Sequence, residues 1–213
     1  MSLRHAPNLV TFARLVVAVG VFAALERAVA GPPGPSPAMQ FAFWGYLAAA
    51  ASDSLDGWLA RRYRAVTALG RVADPVVDKV LTLGAMAYLI RFDAFARPGD
   101  PWEVMPVWAY VVLLAREFLV TALRGFVESR GLAFPAERLG KWKMVLQTIF
   151  VCIALGAAGG VPATLHLPFL DHLRDPVVFF GVFLAMIALT LVSGATYLVR
   201  GWRLLNGGDL TAR

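Results

Sequence analysis

The sequence predicts an all-α membrane protein, and two observations support this prediction. The chain has 213 residues, of which 59% are hydrophobic and 16% charged, with a mean hydropathy of +0.65. Soluble domains are typically about 45–50% apolar and about 25% charged. The chain also contains six apolar runs, each near the ~20 residues that a helix needs to cross a bilayer core. We therefore expect a polytopic fold with six transmembrane helices in a single domain covering residues 1–213.

The six predicted spans are separated by segments rich in proline and glycine. Three clear breakers are G-P-P-G-P-S-P at 31–37, R-P-G-D-P at 97–101 and G-G-V-P at 159–162. The first span is interrupted by Arg14 and lacks a small-residue cleavage site, so we interpret it as a retained helix and not as a signal peptide. The predicted spans are Asn8–Ala30, Met39–Leu59, Val72–Ile90, Pro106–Phe126, Lys141–Ala158 and Val177–Leu198.

Basic residues predict the orientation of these spans. When the loops are assigned alternately to two sides, all of the 20 Lys and Arg residues except Arg27, Arg91, Arg97 and Arg174 fall on one side. The positive-inside rule makes that side cytoplasmic and places both termini there. We interpret the net charge of +6 as a topology signal and expect no nucleic-acid partner. The lone cysteine, Cys152, cannot form an internal disulfide.

Four aspartates lie where the second predicted span ends and the third begins. Asp53 and Asp56 are three residues apart and Asp74 and Asp78 are four apart, so each pair projects from one face of a helix. Ionisable groups at membrane depth cost about 2.5–3.5 kcal/mol each and usually have a function. Clustered carboxylates repel one another unless a cation lies between them, and hard divalent cations take carboxylate oxygens as ligands. The pattern therefore predicts one or two divalent ions at the cytoplasmic end.

The residues beside the first acid pair favour a phosphate ligand. Gly57, Ala60 and Arg61 share a sector of the helix with Asp53 and Asp56. A divalent ion flanked by cations suits phosphate oxygens, and small residues leave room for a bulky group. Two alternatives remain at this point: the small residues pack helices together, or the acids belong to an ion transporter. A transporter predicts polar residues across the whole bilayer, whereas here they stop at the cytoplasmic end.

The spacing of the acids and small residues carries a family resemblance. From Asp53 to Asp78 the chain reads D-x2-D-G-x2-A-R-x8-G-x3-D-x3-D, which resembles the signature of the CDP-alcohol phosphotransferase family. The resemblance extends over nearly the whole chain. It implies the six-helix fold of that family, a homodimer, and two Mg²⁺ or Mn²⁺ ions. The implied metal ligands are Asp53, Asp56, Asp74 and Asp78, with Asp78 also acting as general base.

The resemblance further implies a binding site for CDP-diacylglycerol. The opening segment P-N-L-V-T-F-A-R has Asn8, Thr11 and Arg14 in the order typical of the family's first helix. Asn8 as a helix cap and Thr11 as a packing residue are the alternatives. The residues expected to contact CDP-diacylglycerol are Asn8, Thr11, Gly57, Ala60, Arg61, Thr67 and Gly70.

Three further segments point to the acceptor. They are A-D-P-V-V-D-K-V-L at 73–81, A-R-E-F-L-V-T-A-L-R-G-F at 115–126 and L-G-K-W-K at 139–143, followed by Gln147. They resemble the bacterial phosphatidylglycerophosphate synthases of the family, which implies glycerol 3-phosphate as acceptor and the bacterial cytoplasmic membrane as location. The expected phosphate ligands are Arg116, Arg124 and Lys141, and the alternative for each is snorkelling to the interface.

Two positions depart from the synthase pattern: Val19 stands where proline is common, and Met144 where threonine is expected. The predicted activity is metal-dependent transfer of a phosphatidyl group from CDP-diacylglycerol to glycerol 3-phosphate, with release of CMP. Direct transfer is expected, because no activated Ser, Cys or His nucleophile is evident. The alternatives are the same chemistry with phosphatidylglycerol (as in cardiolipin synthesis), serine or inositol phosphate as acceptor, and a cation transporter.

Overall fold

A computed structural model of the chain describes residues 6–32, 35–63, 68–92, 104–132, 134, 138–161 and 175–206, and for 6–11, 53–63 and 68–75 the description covers the backbone alone. Within those residues the structure has six helices and no strand, which confirms the predicted all-α class. The helices are α1 Ala6–Ala30, α2 Pro37–Tyr63, α3 Ala68–Leu89, α4 Val107–Ser129, α5 Arg138–Ala158 and α6 Pro176–Leu205.

The helices agree with the predicted spans at some ends and extend past them at others. α1 and α5 end at Ala30 and Ala158 as predicted, because glycine-containing breakers follow both. α2 and α6 continue beyond their apolar runs to Tyr63 and Leu205. The extra residues of α2 include alanine and arginine, and those of α6 include arginine and leucine. These are good helix formers, so each helix continues past its hydrophobic run. The 30 residues of α6 correspond to about 45 Å, more than the ~30 Å of a bilayer core.

Two of the described helices, α5 and α6, are long and apolar enough to cross a membrane by length and composition. Of the other four, α4 is described in full and interrupts its apolar run with charge at Arg116, Glu117 and Arg124. The predicted number of helices is thus found among the described residues. Membrane crossing by α1 to α4 stays a prediction.

The chain divides into two compact units, and the first comprises residues 1–105 and 151–176. Here α1 packs against α2 and α3. α2 runs antiparallel to α1, since only residues 31–36 join the two helices and Gly45 faces Val21 and Val17, whereas Phe41, one turn earlier on α2, faces Gly20. A Cβ at Gly45 would lie 2.9 Å from Val21 Cγ2, so only glycine permits this approach of the two helices.

α3 runs parallel to α1 in the same unit. The rings of Phe22 and Tyr88 stack with centroids 6.1 Å apart, and one turn further along, Arg91 lies 4.0 Å from Glu26. Phe22 also lies directly over Gly84, where a Cβ would be 2.4 Å from its Cζ atom. The fit of this ring against a bare backbone sets the spacing of α1 and α3.

The end of α5 meets the start of α2. Gln40 Nε2 donates a hydrogen bond to the carbonyl of Gly159 at 3.4 Å, and the Phe43 ring lies against Gly156. Gly160 ends the helix with φ of +65°, a left-handed conformation that glycine adopts without strain.

The second unit comprises residues 106–150 and 177–213. α4 and α6 run parallel, since Trp108 meets Phe183 near their starts and Arg124 meets Tyr197 further along. The first part of α5 runs antiparallel to both, with Phe150 at the Phe183 end. Stacked aromatic rings fill one end of this unit, and the other end holds an apolar cluster of Val120, Val127, Phe134 and Tyr197.

Replacing Gly84 with alanine is expected to destabilise the first unit. The new Cβ would overlap the Phe22 ring, which Tyr88 holds in place, and overpacking of this kind costs about 1–3 kcal/mol of unfolding free energy. Thermal unfolding in detergent measures the effect. Gly181→Ala is the matched control, because a Cβ there meets nothing within 4 Å. The double variant Gly84→Ala/Phe22→Leu should recover stability, and a Gly84→Ala midpoint equal to that of the control would contradict the packing described.

Candidate active site

The predicted acids lie at one end of the first unit. Because α1 and α2 are antiparallel and cross at Val21 and Gly45, moving seven residues along each reaches Arg14 and Ser52, about 10 Å further toward the same end. Asp53 and Asp56 follow Ser52 directly on the α2 backbone. The helix register therefore places the α2 pair at the same end of the unit as Arg14.

Arg14 on α1 also lies close to Asp78, the predicted acid on α3. Arg14 Nη2 lies 3.9 Å from Asp78 Oδ1, and the Arg14 side chain is only 3% exposed, while that of Asp78 is 24% exposed. A guanidinium buried among apolar helices needs a nearby anion, and Asp78 supplies one. The sequence placed Arg14 in the family's first helix but did not predict this ion pair.

The remaining predicted residues of this unit can be placed only on the backbone. Asn8 and Thr11 lie on α1, and Gly70 and Asp74 lie on the first turns of α3. The last turns of α2 contain the other predicted residues: Asp53, Asp56, Gly57, Ala60 and Arg61. Thr67 lies outside the described residues. The side chains of Asn8, Thr11, Asp53, Asp56, Gly57, Ala60, Arg61, Gly70 and Asp74 are likewise outside the description, so their roles stay predictions.

A divalent ion fits the chemistry of the donor set. Among the residues whose side chains are described, no group of three or more His, Cys, Asp or Glu residues is placed to hold a metal, and Asp78 is the one predicted ligand in that part of the chain. Its carboxylate is partly open to solvent beside a buried cation. An oxygen donor of this kind suits Mg²⁺ or Mn²⁺.

In the second unit, a buried carboxylate joins three helices. Glu117 on α4 accepts a hydrogen bond at Oε1 from Arg116 Nη1 at 3.0 Å, and the same oxygen pairs with Lys143 Nζ on α5. Arg116 Nη2 donates to Ser193 Oγ on α6, also at 3.0 Å. The side chains of Lys143 and Glu117 are only 2% and 9% exposed. These charges therefore lie inside the unit and not at its surface.

One aromatic ring holds the two arginines of α4. The guanidinium carbons of Arg116 and Arg124 lie 5.6 and 5.9 Å from the centroid of Tyr197, within the range of cation–π attraction. Arg124 Nη2 also donates to the Tyr197 hydroxyl at 3.3 Å. Gly140 on α5 lies beside that hydroxyl. Tyr197 thus fixes both side chains on the same side of α4.

The interior of the second unit contains polar atoms that lack hydrogen-bond partners within the described part of the chain. They include these four: Arg116 Nε, Arg124 Nε, Gln147 Nε2 and Thr190 Oγ1. Buried polar groups are costly unless they are hydrogen-bonded, so such a set calls for a partner. Two of the four atoms belong to guanidinium cations, which suits an anionic, hydroxyl-bearing ligand.

The structure brings together two of the three predicted acceptor ligands. Arg116 and Arg124 share the Tyr197 ring, whereas Lys141 is exposed on α5. Lys143 is buried instead, because two residues along a helix correspond to about 200° and therefore to opposite faces. The role of Lys141 stays a prediction.

The sequence reasoning missed Glu117, Ser193 and Tyr197. The signal for Glu117 was present, since an acid next to Arg116 inside an apolar span needs a partner at membrane depth. Ser193 and Tyr197 left no such signal, because hydroxyl side chains are common in apolar helices and their contacts depend on the packing of α4 against α6.

The fold and these residues define a class of enzyme. The chain belongs to the CDP-alcohol phosphatidyltransferase family, whose model matches residues 4–166. This confirms the family resemblance. With two helices apolar enough to cross a bilayer, the chain is a membrane phosphatidyltransferase.

Three named relatives are similar to this chain over most of their length. The chain is 33% identical over 162 residues to the CDP-diacylglycerol–glycerol-3-phosphate 3-phosphatidyltransferase of Bacillus subtilis, covering 76% of this chain and 73% of that protein. It is 33% identical over 205 residues to a probable phosphatidylglycerophosphate synthase of Mycobacterium tuberculosis, covering 96% and 85%. A Rickettsia felis protein with the same name as the Bacillus relative is 28% identical over 195 residues, covering 91% and 93%.

Tyr197 offers a direct test of how the arginines are held. Tyr197→Phe keeps the ring and loses only the hydroxyl, so we expect it to lower the unfolding free energy by about 1 kcal/mol. Tyr197→Leu also removes the ring beneath both guanidiniums and should cost a further ~0.5–2 kcal/mol. Thermal unfolding in detergent distinguishes the two. Equal losses in both variants would show that the ring does not hold the arginines.

Proposed function

We propose that the chain transfers a phosphatidyl group from CDP-diacylglycerol to glycerol 3-phosphate, giving phosphatidylglycerophosphate and CMP. The observation that carries this proposal is the family membership together with relatives whose names specify that reaction. The pattern from Asp53 to Asp78 supports the same reading. Its two acid pairs lie on α2 and α3, and the helix register puts the α2 pair at the Arg14–Asp78 end of the first unit.

The acceptor oxygen attacks the phosphorus that carries the diacylglycerol. The new O–P bond forms as the bond from that phosphorus to the bridging oxygen of CMP breaks, and CMP leaves with the electron pair. The hydroxyl proton passes to the carboxylate of Asp78, which acts as general base. Its partly exposed carboxylate is open to an incoming hydroxyl, and Arg14 lies 3.9 Å from one of its oxygens.

Two divalent ions, Mg²⁺ or Mn²⁺, are the proposed cofactors. Asp53, Asp56, Asp74 and Asp78 would hold them, and the ions would supply charge compensation for the pyrophosphate. CDP-diacylglycerol is proposed to contact the small and polar residues of α1 to α3 and the segment between α2 and α3. These contacts are Asn8, Thr11, Gly57, Ala60, Arg61, Thr67 and Gly70.

The acceptor phosphate is proposed to bind at Arg116 and Arg124, with Lys141 as a third cation from the sequence. The buried donors of the second unit support this assignment, because both arginines are fixed by Tyr197 and retain an Nε atom without a partner in the described part of the chain. Guanidinium groups bind phosphate oxygens through charge-assisted hydrogen bonds. A phosphate monoester is therefore a fitting ligand.

The proposed arrangement in the membrane follows the charge distribution. All six helices would span the bacterial cytoplasmic membrane as one functional domain over residues 1–213, with both termini and the acids on the cytoplasmic side. A homodimer, surrounded by membrane lipids, completes the proposal. The family resemblance supports that assembly.

The acceptor is tested by following CMP release from purified protein in detergent. With Mg²⁺ or Mn²⁺ and CDP-diacylglycerol, we expect release with glycerol 3-phosphate and none with phosphatidylglycerol, serine or inositol 1-phosphate. Omitting the divalent ion should abolish release. Release with a different acceptor would keep the family chemistry and overturn the acceptor assignment, and no release with any of them would favour a transporter.

Two variants, each of a single carboxylate, test the role of Asp78 in that assay. Asp78→Asn should lower the rate of CMP release by about 10²–10⁴-fold, because the general base is lost. Glu128→Gln makes the same chemical change at an exposed position of α4 and should leave the rate unchanged. A wild-type rate in Asp78→Asn would rule out the proposed role of Asp78.

A further inference from the structure

Three cations and one anion meet inside the second unit, and the anion has no role in the reaction outlined above. The cations are Arg116, Arg124 and Lys143, and Glu117 is the carboxylate that contacts two of them. We propose that Glu117 is a positioning residue for the acceptor, orienting Arg116 and offsetting the charge of Lys143. This proposal rests on the proposed function of the chain.

The geometry around Arg116 supports the orienting role. Its two terminal nitrogens are each held by the protein, Nη1 by Glu117 Oε1 and Nη2 by Ser193 Oγ, both at 3.0 Å. Its Nε has no hydrogen-bond partner in the described part of the chain. Two bonds fix the plane of the guanidinium, so the direction of the remaining N–H is set by Glu117 and Ser193. Without Glu117, the guanidinium keeps its bond to Ser193 and its contact with the Tyr197 ring, but it loses the second bond that fixes its plane.

The charge of the cluster supports the offsetting role. Glu117 contacts two cations, Arg116 and Lys143, and Arg124 shares the Tyr197 ring with Arg116, so with Glu117 ionised these four groups together carry a charge of about +2. A phosphate monoester carries about −1.5 to −2 at pH 7, whereas a phosphodiester carries about −1. The cluster therefore matches glycerol 3-phosphate better than a phosphodiester such as phosphatidylglycerol.

Stability alone is a poor explanation for the Glu117–Lys143 pair. Both side chains lie almost fully inside the unit. Desolvation of a buried ion pair largely cancels its attraction, and well-packed apolar residues are often as stable or more so. A chain that needed only packing between α4 and α5 would gain nothing from two buried charges. A role in ligand binding explains why they are present.

The test compares Michaelis constants for the two substrates of the full-length enzyme. For Glu117→Gln, whose amide oxygen can still accept from Arg116 but carries no charge, we expect the KM for glycerol 3-phosphate to rise about tenfold, because the charge-assisted hydrogen bond is weakened. The KM for CDP-diacylglycerol and kcat should stay within about threefold, because a positioning defect at the acceptor leaves the other substrate unaffected. Glu128→Gln is the matched control and should change neither constant.

A double variant separates positioning from simple charge pairing. Lys143→Met alone leaves Glu117 short of one cation, and Glu117→Met/Lys143→Met replaces the whole pair with apolar side chains. We expect the double variant to regain the wild-type midpoint of thermal unfolding but to keep the raised KM for glycerol 3-phosphate, because Arg116 still lacks its acceptor. A purely structural pair predicts that both quantities recover together.

Three results would overturn the proposal: an unchanged KM for glycerol 3-phosphate in Glu117→Gln, an equal change in both Michaelis constants, or full recovery of KM in the double variant. If Glu117→Gln does not fold, Glu117→Asp keeps the charge on a shorter side chain and should still raise that KM selectively. A wild-type enzyme that releases no CMP with glycerol 3-phosphate would instead refute the proposed function, and the proposal with it.

Discussion

A cation buried between apolar helices needs an anion or a polar acceptor within reach, and this requirement determines how charge is arranged in both units. In the first unit, Arg14 lies against Asp78. In the second, Arg116 and Lys143 share one carboxylate oxygen of Glu117. An unpaired charge in such surroundings costs several kcal/mol, so each pair restricts which side-chain arrangements the helices can adopt. Each pair therefore holds its polar side chains in one position, which a flexible residue at the surface would not keep.

Donors and acceptors left over from these arrangements are the groups to which we assign the proposed chemistry. Tyr197 holds Arg116 and Arg124 over one ring, and the Nε atoms of both arginines find no hydrogen-bond partner among the described residues. Asp78 keeps part of its carboxylate open to solvent. One unit thus carries a carboxylate suited to metal binding and proton transfer, and the other carries donors suited to a phosphate.

The sequence predicted the helices well because the apolar runs and their breakers are unambiguous. It placed the ends of α1 and α5 at the observed residues, and it missed the last turns of α2 and α6 because helix-forming charged residues extend a helix past its hydrophobic run. The spacing from Asp53 to Asp78 carried a resemblance to a known family, and the family match confirms that resemblance.

Side-chain partners across helices were harder to predict. Lys141 and Lys143 look equivalent in the sequence, and only the rotation of α5 shows that Lys143 is the buried one. The contact of Arg116 with Ser193 joins residues far apart in the chain, so it depends on how α4 packs against α6. Local patterns carry information on periodicity and composition. They carry none on which faces of two distant helices meet.

Isotopic labelling of the acceptor tests the central claim most directly. Glycerol 3-phosphate carrying ¹⁸O in its C1 hydroxyl is incubated with CDP-diacylglycerol, a divalent ion and the enzyme, and the products are analysed by mass spectrometry. Direct attack of the acceptor oxygen on phosphorus predicts phosphatidylglycerophosphate that retains the label and CMP that contains none. Formation of unlabelled phosphatidic acid, or of a lipid that has lost the label, would contradict phosphatidyl transfer to this alcohol.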